Sequence, residues 1–354
     1  MTDIYEEAWP FSTIRLSSIP VRVRIHSSFV STSFSISECD NYTWEGTTYN
    51  TSGVFAKTFN TIDKVAEAHI DKILKFWEGL GYYQRAHNIH ETAQKIVQNH
   101  KSIIPCDYKQ LVAFKGIGDY TASAILSISY SQKYPAIDGN LKRVIARLAG
   151  ISNFQNISSK SKKFAMHLMF YNKPEFINQS LMDLGREVCL PRNPQCSLCP
   201  VLDYCVAYKQ NKISYYSFKK VKKSKPNYNV SIGIIWEKEK FLISKRKKDG
   251  LLGGLWELPG GKEQFSEGSI KCLHREIYEE LGLKTKSADQ IGMIKHHYSH
   301  FSINLTGYHC FYPSGIAQAK SSDAIKWIKP KDIMNYAFPK ATMKLFILAG
   351  LVNE

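Results

Sequence analysis

The chain has 354 residues, 44% of them hydrophobic, and its formal net charge at pH 7 is +16. Its length favours two domains with separate cores, and no apolar run approaches the roughly 20 residues that a transmembrane helix requires. The acidic N-terminus also lacks a signal-peptide pattern. We therefore expect an intracellular, cytoplasmic protein with no membrane partner, and the basic excess favours nucleic acid as its partner.

The first half of the chain is predicted to be all-α. Residues 1–44 have no clear period, and we expect a segment of uncertain order there. From Phe59 to Trp77, apolar residues recur at three- and four-residue steps, which predicts helical structure. Further helices are predicted at about 89–100, after a glycine turn within 111–130, and at 140–148, with two more within 159–188. No strand pattern is convincing between 59 and 205.

A change of composition after Cys205 marks a domain boundary. A lysine-rich stretch, 208–227, is predicted to be a basic linker that either lies on phosphates or is merely solvated. Beyond it the period becomes strand-like, which predicts an α/β domain over 228–354. The predicted strands are Val230 to Trp236, Phe241 to Lys245, Ile303 to Phe311 and Ala324 to Ile328, and the predicted helices are 267–281 and 339–348.

Two glycine turns are candidate nucleic-acid contacts. The first precedes Tyr82, Tyr83 and Arg85, and it predicts displayed aromatic rings, which either plug a core or wedge between bases. The second contains Gly116 and Gly118 before a predicted helix. Backbone amides at such a turn can bind a phosphate, although an ordinary joint between two helices has the same pattern.

Four clustered cysteines indicate a metal centre. Cys189, Cys196, Cys199 and Cys205 are separated by six, two and five residues, which is unlike a secreted disulfide framework. Four thiolates in so short a loop can hold a tetrahedral zinc ion or a four-iron cluster. The nearby Arg192 and the lysine run suit a loop presented to DNA, with a structural metal.

Residues 59–225 resemble the helix–hairpin–helix DNA glycosylase superfamily with an iron–sulfur loop. The hairpin would be Leu111 to Ala124, and the cysteine spacing matches that family's [4Fe-4S] signature. The resemblance implies a glycosylase domain over 45–207, with the cluster loop at 189–205. The family's catalytic aspartate falls on Asp138 in Ile137-Asp138-Gly139-Asn140.

One position distinguishes the subfamilies. Glycosylase–lyases carry a Schiff-base lysine just after the hairpin glycines, where this chain has Tyr120. The chain therefore resembles the monofunctional A/G-specific adenine DNA glycosylases, the MutY family, whose Trp-Gly-Leu-Gly-Tyr-Tyr run resembles Trp77 to Tyr83. The resemblance implies that Tyr82 is the wedge and that Tyr120 and Asn140 position the carboxylate and a water molecule.

In that family, a C-terminal Nudix-like domain recognises 8-oxoguanine. Here the recognition loop would be Tyr298, Ser299 and His300. The Nudix box is complete, and its residues are Gly261, Glu267, Arg275, Glu276, Ile277, Glu279, Glu280, Gly282 and Leu283. Glu276, Glu279 and Glu280 share one helix face and could bind Mg²⁺, or they could instead brace the helix.

The chain departs from the family at the general acid. The expected glutamate followed by a hydrophobic pair and Gln-Gln-Thr is missing, and Glu38 lies at nearly the expected distance. We assign the general acid to Glu38. Residues 1–44 are alternatively divergent or mistranslated, in which case the protein binds its substrate without cutting it.

These features together predict the activity. We expect a bacterial, monomeric enzyme that removes adenine mispaired with 8-oxoguanine, or with guanine, from double-stranded DNA and leaves an abasic site. The alternatives are a glycosylase–lyase, a catalytically impaired DNA-binding homologue, and a Nudix nucleotide pyrophosphatase on a DNA-binding platform.

Overall fold

The computed structural model describes residues 42–44, 47–49, 55, 57–152, 155–216, 225–311 and 313–353. These residues belong to two compact units. One contains residues 103–216, and in the other residues 55–102 pack with the C-terminal region 225–353. The sequence did not indicate this grouping, and the predicted domain boundaries stay predictions. No helix among the described residues has both the length and the apolar character needed to cross a membrane.

The described residues between 59 and 205 form helices and turns without a strand, as the sequence predicts. The helices are α1 (Ile62–Glu67), α2 (Ile70–Phe76), α3 (Gln84–His100), α4 (Tyr108–Val112), α5 (Asp119–Tyr130), α6 (Gly139–Ala149), α7 (Ile157–Tyr171) and α8 (Pro174–Asp183). After α8 come a π-helical turn, two 3₁₀ turns and a last short helix, which are Leu184–Val188, Cys196–Leu198, Leu202–Tyr204 and α9 (Val206–Lys209). Before all of these, β1 (Tyr42–Trp44) pairs antiparallel with β2 (Thr47–Tyr49).

Helix α6 is the centre of the unit formed by residues 103–216. Leu141, Val144 and Ile145 are fully buried, and they pack with apolar residues of α7 and α8 in one core. Their three- and four-residue spacing places them on one face of the helix. Gly150 ends α6 with a left-handed φ of +66°, where an added Cβ would lie 2.6 Å from the Val206 side chain. The helix therefore stops where α9 packs closely against it.

The C-terminal region is a mixed sheet. Its strands are β3 (Asn227–Glu237), β4 (Lys240–Lys245), β5 (Trp256–Glu257), β6 (Gly260–Lys262), β7 (Ser287–His297), β8 (Ser302–Phe311) and β9 (Ala324–Ile328). The main order is β5-β4-β3-β8-β7, while β6 pairs with β3 and β9 pairs with β4. The β3–β8 pair is parallel, and the other pairs in this sheet are antiparallel. The four predicted strands are confirmed, whereas β5, β6 and β7 were not predicted.

Two helices cover the two faces of this sheet. Helix α10 (Ser269–Leu281) packs on the face of Ile235 and Leu242, and α11 (Lys340–Leu348) packs on the face of Ile234 and Phe241. Neighbouring residues of a strand point to opposite faces, so these alternating positions supply both cores. Both predicted helices are confirmed.

Candidate functional site

Asp138 is the N-cap of helix α6. Its Oδ1 accepts a hydrogen bond of 2.7 Å from the Leu141 backbone N–H. Ile137 before it is buried, and Asp138 itself is partly exposed. An N-cap hydrogen bond and a buried neighbour both restrict a side chain. The carboxylate is therefore held at a defined place at the edge of the core, with its second oxygen left for other contacts.

Tyr120 lies in the first turn of α5, and its ring is in electrostatic range of Asp138. Burial, and then the negative charge of Asp138, raise the pKa of the Tyr120 phenol. The Tyr120 hydroxyl contacts Met182 Sδ at 3.7 Å. The Asn140 Oδ1 accepts a hydrogen bond from Arg143 at 2.9 Å. The negative charge of Asp138 therefore acts on Tyr120, while the amide oxygen of Asn140 is engaged by an arginine.

The predicted hairpin joins α4 to α5. Gly116 has a φ of +88°, a conformation that favours glycine. Gly118 is the N-cap of α5, and a Cβ added there would meet open space. Tyr108 of α4 donates a hydrogen bond of 2.8 Å to Asp119 of α5, which links the two helices across the turn. Gly116 and Gly118 are both exposed, so an anion can approach the start of α5.

The turn before α3 presents one of its two tyrosines. Tyr82 is 61% exposed and has a left-handed φ of +48°, whereas the Tyr83 ring is buried. A non-glycine residue in this conformation is strained by roughly 1–2 kcal/mol, and such strain is concentrated at functional sites. The Tyr83 hydroxyl accepts a hydrogen bond of 3.0 Å from Gly79 N–H. The displayed aromatic ring is therefore that of Tyr82, with the Arg85 guanidinium 5.5 Å from its centre.

All four clustered cysteines line one cavity. This cavity contains about 390 Å³ of empty space, part of it open to solvent, and its other lining residues are mostly apolar. Burial raises the pKa of the Cys199 thiol to about 11. A thiolate at this position therefore needs positive charge close to it, as an iron–sulfur cluster provides. The donor set and the apolar cavity fit a [4Fe-4S] cluster.

Two buried arginines of α6 hold this loop. Arg143 donates to the Cys189 carbonyl at 2.9 Å and to the Gly185 carbonyl at 2.6 Å. Arg147 donates to Cys189 Sγ at 3.3 Å and to the Leu190 carbonyl at 2.8 Å. Sequence reasoning missed both residues. The available signal was two arginines four residues apart beside the apolar face of a helix.

The predicted recognition residues form the tip of the β7–β8 hairpin. Ser299 and His300 are exposed between Tyr298 and Phe301, whose backbones are joined by a 2.8 Å hydrogen bond. The Tyr298 and Phe301 rings stack with centroids 4.7 Å apart. Burial raises the pKa of Tyr298 to about 12, and the Glu257 carboxylate adds to the shift. Tyr298 therefore anchors the tip, and the exposed side chains of Ser299 and His300 can contact a ligand.

The Nudix-box carboxylates make protein contacts. Arg275 forms ion pairs with Glu267, Glu276 and Glu279 at 2.6, 2.8 and 3.1 Å. Glu280 accepts a hydrogen bond of 3.1 Å from Gly260 N–H. Among the described carboxylates of the Nudix box, no group of three is arranged to hold a metal ion. The predicted Mg²⁺ at Glu276, Glu279 and Glu280 is therefore not supported, and these residues brace the helix.

Two predicted features lie outside the described residues. One is Glu38, the assigned general acid, and the other is the middle of the basic linker, 217–224. Their roles stay predictions.

Three family models match the chain. The first, described as HhH-GPD superfamily base excision DNA repair protein, matches residues 41–167. The second, the iron–sulfur binding domain of endonuclease III, matches residues 189–205, which include all four cysteines. The third, a NUDIX domain, matches residues 231–348.

Individual proteins are similar over most of the chain. The adenine DNA glycosylase of Buchnera aphidicola subsp. Schizaphis graminum is 31% identical over 255 residues, 71% of this chain and 72% of the relative. That of Buchnera aphidicola subsp. Acyrthosiphon pisum is 28% identical over 295 residues, 82% of each chain. A solved structure of a thermostable thymine-DNA glycosylase has a TM-score of 0.40 at 22% identity, and the match covers 45% of this chain and 75% of that one.

The matched models and the hairpin geometry define the class of protein, a helix–hairpin–helix DNA glycosylase of base excision repair with an iron–sulfur cluster. Its substrate is DNA. The match to the adenine DNA glycosylase of Buchnera aphidicola subsp. Schizaphis graminum, 31% identical over 71% of this chain, also shows the family. The chain belongs to the adenine DNA glycosylases.

Arg147→Met should weaken retention of the cluster. Methionine keeps the apolar stem but removes the donors to Cys189 Sγ and the Leu190 carbonyl. Loss of such outer contacts typically costs about 10–100-fold in metal affinity. We expect faster bleaching of the visible absorbance by an iron chelator, whereas Arg192→Met, on the exposed part of the loop, should bleach at the wild-type rate. Equal rates for the two variants would contradict the role of Arg147.

Glu280→Gln should reduce the loss of stability at high pH. Burial raises the pKa of Glu280 to about 7, so the folded chain must hold a buried charge above that pH. The neutral Glu280 carboxyl group favours the folded chain. This contribution to stability is complete below the pKa that Glu280 has in the unfolded chain, and it is lost as the pH rises through about 7. We expect the C-terminal region to lose roughly 2 kcal/mol between pH 5 and 8 from this group. Glutamine stays neutral and can still accept from Gly260 N–H. Denaturant unfolding of both proteins at the two pH values tests this, and identical pH dependence would contradict it.

Proposed function

We propose that this protein excises adenine mispaired with 8-oxoguanine in duplex DNA by hydrolysing the N-glycosidic bond. The observation that carries the proposal is the carboxylate of Asp138, which is fixed at the N-terminus of α6 within electrostatic range of Tyr120. A fixed carboxylate beside the reacting sugar is what an oxocarbenium-like transition state requires.

The hairpin and the Tyr82 turn prepare the DNA. The exposed amides at Gly116 and Gly118 bind a phosphate near the lesion. Tyr82 enters the base stack, because its ring is exposed and its strained backbone holds it outwards. The mispaired adenine is then rotated out of the duplex, at an unstacking cost of a few kcal/mol.

The chemistry divides between two carboxyl groups. Glu38 donates a proton to adenine, so that the bond from the sugar C1′ breaks with its electron pair on the base. Asp138 stabilises the resulting cation or bonds to it transiently. Water then adds its oxygen to C1′ and passes a proton to a carboxylate. Tyr120 and Asn140 position Asp138 and this water, and the products are free adenine and an abasic site.

Tyr120 also determines the type of reaction. A lysine at this position would attack C1′ through its amine and lead to strand cleavage. A phenol has no amine nitrogen and cannot form a Schiff base. The DNA strand therefore remains intact after the base is removed.

Recognition of the opposite base is assigned to the tip of the β7–β8 hairpin. Ser299 and His300 are exposed polar side chains on a tip that Tyr298 and Phe301 anchor by stacking. Hydroxyl and imidazole groups can donate to and accept from the atoms that distinguish 8-oxoguanine from guanine. Phosphate contacts by the basic linker at 208–227 would add affinity without sequence preference.

The iron–sulfur cluster, held by Cys189, Cys196, Cys199 and Cys205, supplies structural support to the loop that binds DNA. Arg192 and the lysines after Cys205 would contact phosphates there. We expect the protein to act as a monomer, with domains at 45–207 and 228–354.

A DNA-binding homologue without glycosylase activity is the alternative that rests on the missing glutamate motif. A nucleotide pyrophosphatase is less well supported, because the Nudix-box carboxylates are engaged by Arg275 and Gly260. Incubation with 8-oxo-dGTP and Mg²⁺ should therefore release no pyrophosphate.

Asp138→Asn should lower the single-turnover rate of adenine release by about 1,000-fold, because it removes the charge that stabilises the cation. Asparagine caps a helix as well as aspartate does, so folding should be retained. Asp107→Asn is the matched control, since Asp107 is also an N-cap, with its Oδ1 2.9 Å from Gln110 N. Cutting of the abasic product by alkali measures the rate. Equal rates for the two variants would exclude Asp138 from catalysis, and no adenine release by the wild type would favour the inactive DNA-binding homologue.

Ser299→Ala and His300→Ala should each lower the preference for 8-oxoguanine over guanine. A lost hydrogen bond of about 1.4 kcal/mol corresponds to a tenfold smaller ratio of the two excision rates. Ser321→Ala, in an exposed loop elsewhere, should leave the ratio at the wild-type value. If all three variants keep the wild-type ratio, the hairpin tip does not recognise the opposite base.

A further inference from the structure

Glu78 joins the turn that presents Tyr82 to the C-terminal region. Its Oε1 accepts a hydrogen bond of 2.9 Å from the Phe338 backbone N–H, across 260 residues of sequence. Its Oε2 forms a 2.6 Å ion pair with Lys75, which also donates to the Tyr336 carbonyl at 2.9 Å. One carboxylate and one ammonium group therefore hold two points of the same C-terminal loop, residues 336–338, which directly precedes α11.

Neighbouring contacts extend this junction along α2 and α3. Lys245 of β4 forms a 2.6 Å ion pair with Asp71. His87 is buried, and its Nε2 lies 2.9 Å from the Gly253 carbonyl. A Cβ added at Gly254 would lie 2.9 Å from the His87 ring, so the two surfaces approach closely. The junction is thus a fitted interface within one compact unit.

The turn itself is tied internally on both sides of Glu78. Trp77 Nε1 donates to the Gly81 carbonyl at 3.1 Å, and Gly79 N–H donates to the Tyr83 hydroxyl at 3.0 Å. Gly79 and Gly81 both have left-handed φ values, +84° and +67°. A displacement of Glu78 would therefore be transmitted to Tyr82 through a short, hydrogen-bonded turn.

The partner segment of Glu78 is equally well anchored. Phe338 is fully buried against Phe346, with ring centroids 5.1 Å apart. The Ala337 carbonyl accepts a hydrogen bond of 2.9 Å from Trp256 N–H of β5. Glu78 is therefore attached to the core of the sheet whose β7–β8 tip carries Ser299 and His300.

We propose that Glu78 is a positioning residue that couples recognition of the opposite base to insertion of Tyr82. Through Glu78, the contacts of the hairpin tip with 8-oxoguanine set the place of Tyr82 in the base stack. The proposal rests on the function proposed above, which assigns the tip and Tyr82 to the same duplex. It predicts that binding energy gained at the damaged guanine appears as faster extrusion of the adenine.

The test compares Glu78→Ala, Glu78→Gln and Lys75→Met with the wild type. Each protein is given duplexes with adenine opposite 8-oxoguanine or opposite guanine, and single-turnover rates are measured for both. In parallel, 2-aminopurine replaces adenine, and its fluorescence reports extrusion from the stack. Glu67→Ala is the control, because Glu67 is an exposed glutamate of the nearby helix α1.

We expect Glu78→Ala to lower the ratio of the two rates about tenfold and to lower the 2-aminopurine signal mainly opposite 8-oxoguanine. Glutamine should restore most of the ratio, because its carbonyl can still accept from Phe338 N–H. Lys75→Met should lower the ratio of the two rates by a smaller factor. This variant tests the coupling if Glu78→Ala does not fold.

Two results would overturn the coupling role of Glu78 and leave the proposed function standing. One is a lower melting temperature with an unchanged ratio in all variants, which would make Glu78 a purely structural contact. The other is an equal fall of both rates. A wild-type ratio near one would instead remove the proposed specificity itself, so the two failures are distinguishable.

Discussion

The helical unit depends on the hydrogen bonds that join helix α6 to the cysteine loop. Arg143 and Arg147 are nearly excluded from solvent, and burial of such charges is costly unless they are hydrogen-bonded. The backbone carbonyls of the loop and the Cys189 sulfur accept hydrogen bonds from the two side chains. The same helix begins at Asp138, so the loop that binds the cluster and the carboxylate assigned to the chemistry share one support. A disturbance of either end is expected to be felt at the other.

The C-terminal region has a Nudix-type fold with its box residues used as a brace. Arg275 gathers three glutamates, and Glu276 packs so closely over Gly261 that a Cβ there would lie 2.4 Å from the carboxyl carbon. These contacts fix α10 against β6. The carboxylates take part in them, and we assign no metal ion to these residues. We propose that recognition lies instead at the β7–β8 tip, and Glu78 joins this sheet to the turn of Tyr82 by its hydrogen bond with Phe338. A fold built for one chemistry can thus carry another function on its loops.

Local patterns predicted the parts of the molecule that local physics determines. The cysteine spacing, the hairpin glycines and the Nudix box each lie within a short stretch, and the periodic helices and strands followed from their apolar faces. What the sequence did not reveal depends on distant partners. The contact between Glu78 and Phe338 spans 260 residues, and the burial of Tyr83 beside an exposed Tyr82 accompanies a hydrogen bond within a strained turn. The edge strands β5 and β6 are too short for a period to be visible.

We propose that this chain removes adenine by hydrolysis and leaves the DNA strand intact. The most direct measurement is mass spectrometry of both products after one turnover in water labelled with oxygen-18, on a duplex with adenine opposite 8-oxoguanine. We expect free adenine and an unbroken strand whose abasic sugar carries one labelled oxygen. A broken strand without alkali, or a covalent adduct trapped by borohydride, would contradict it and would indicate a lyase that acts through an amine.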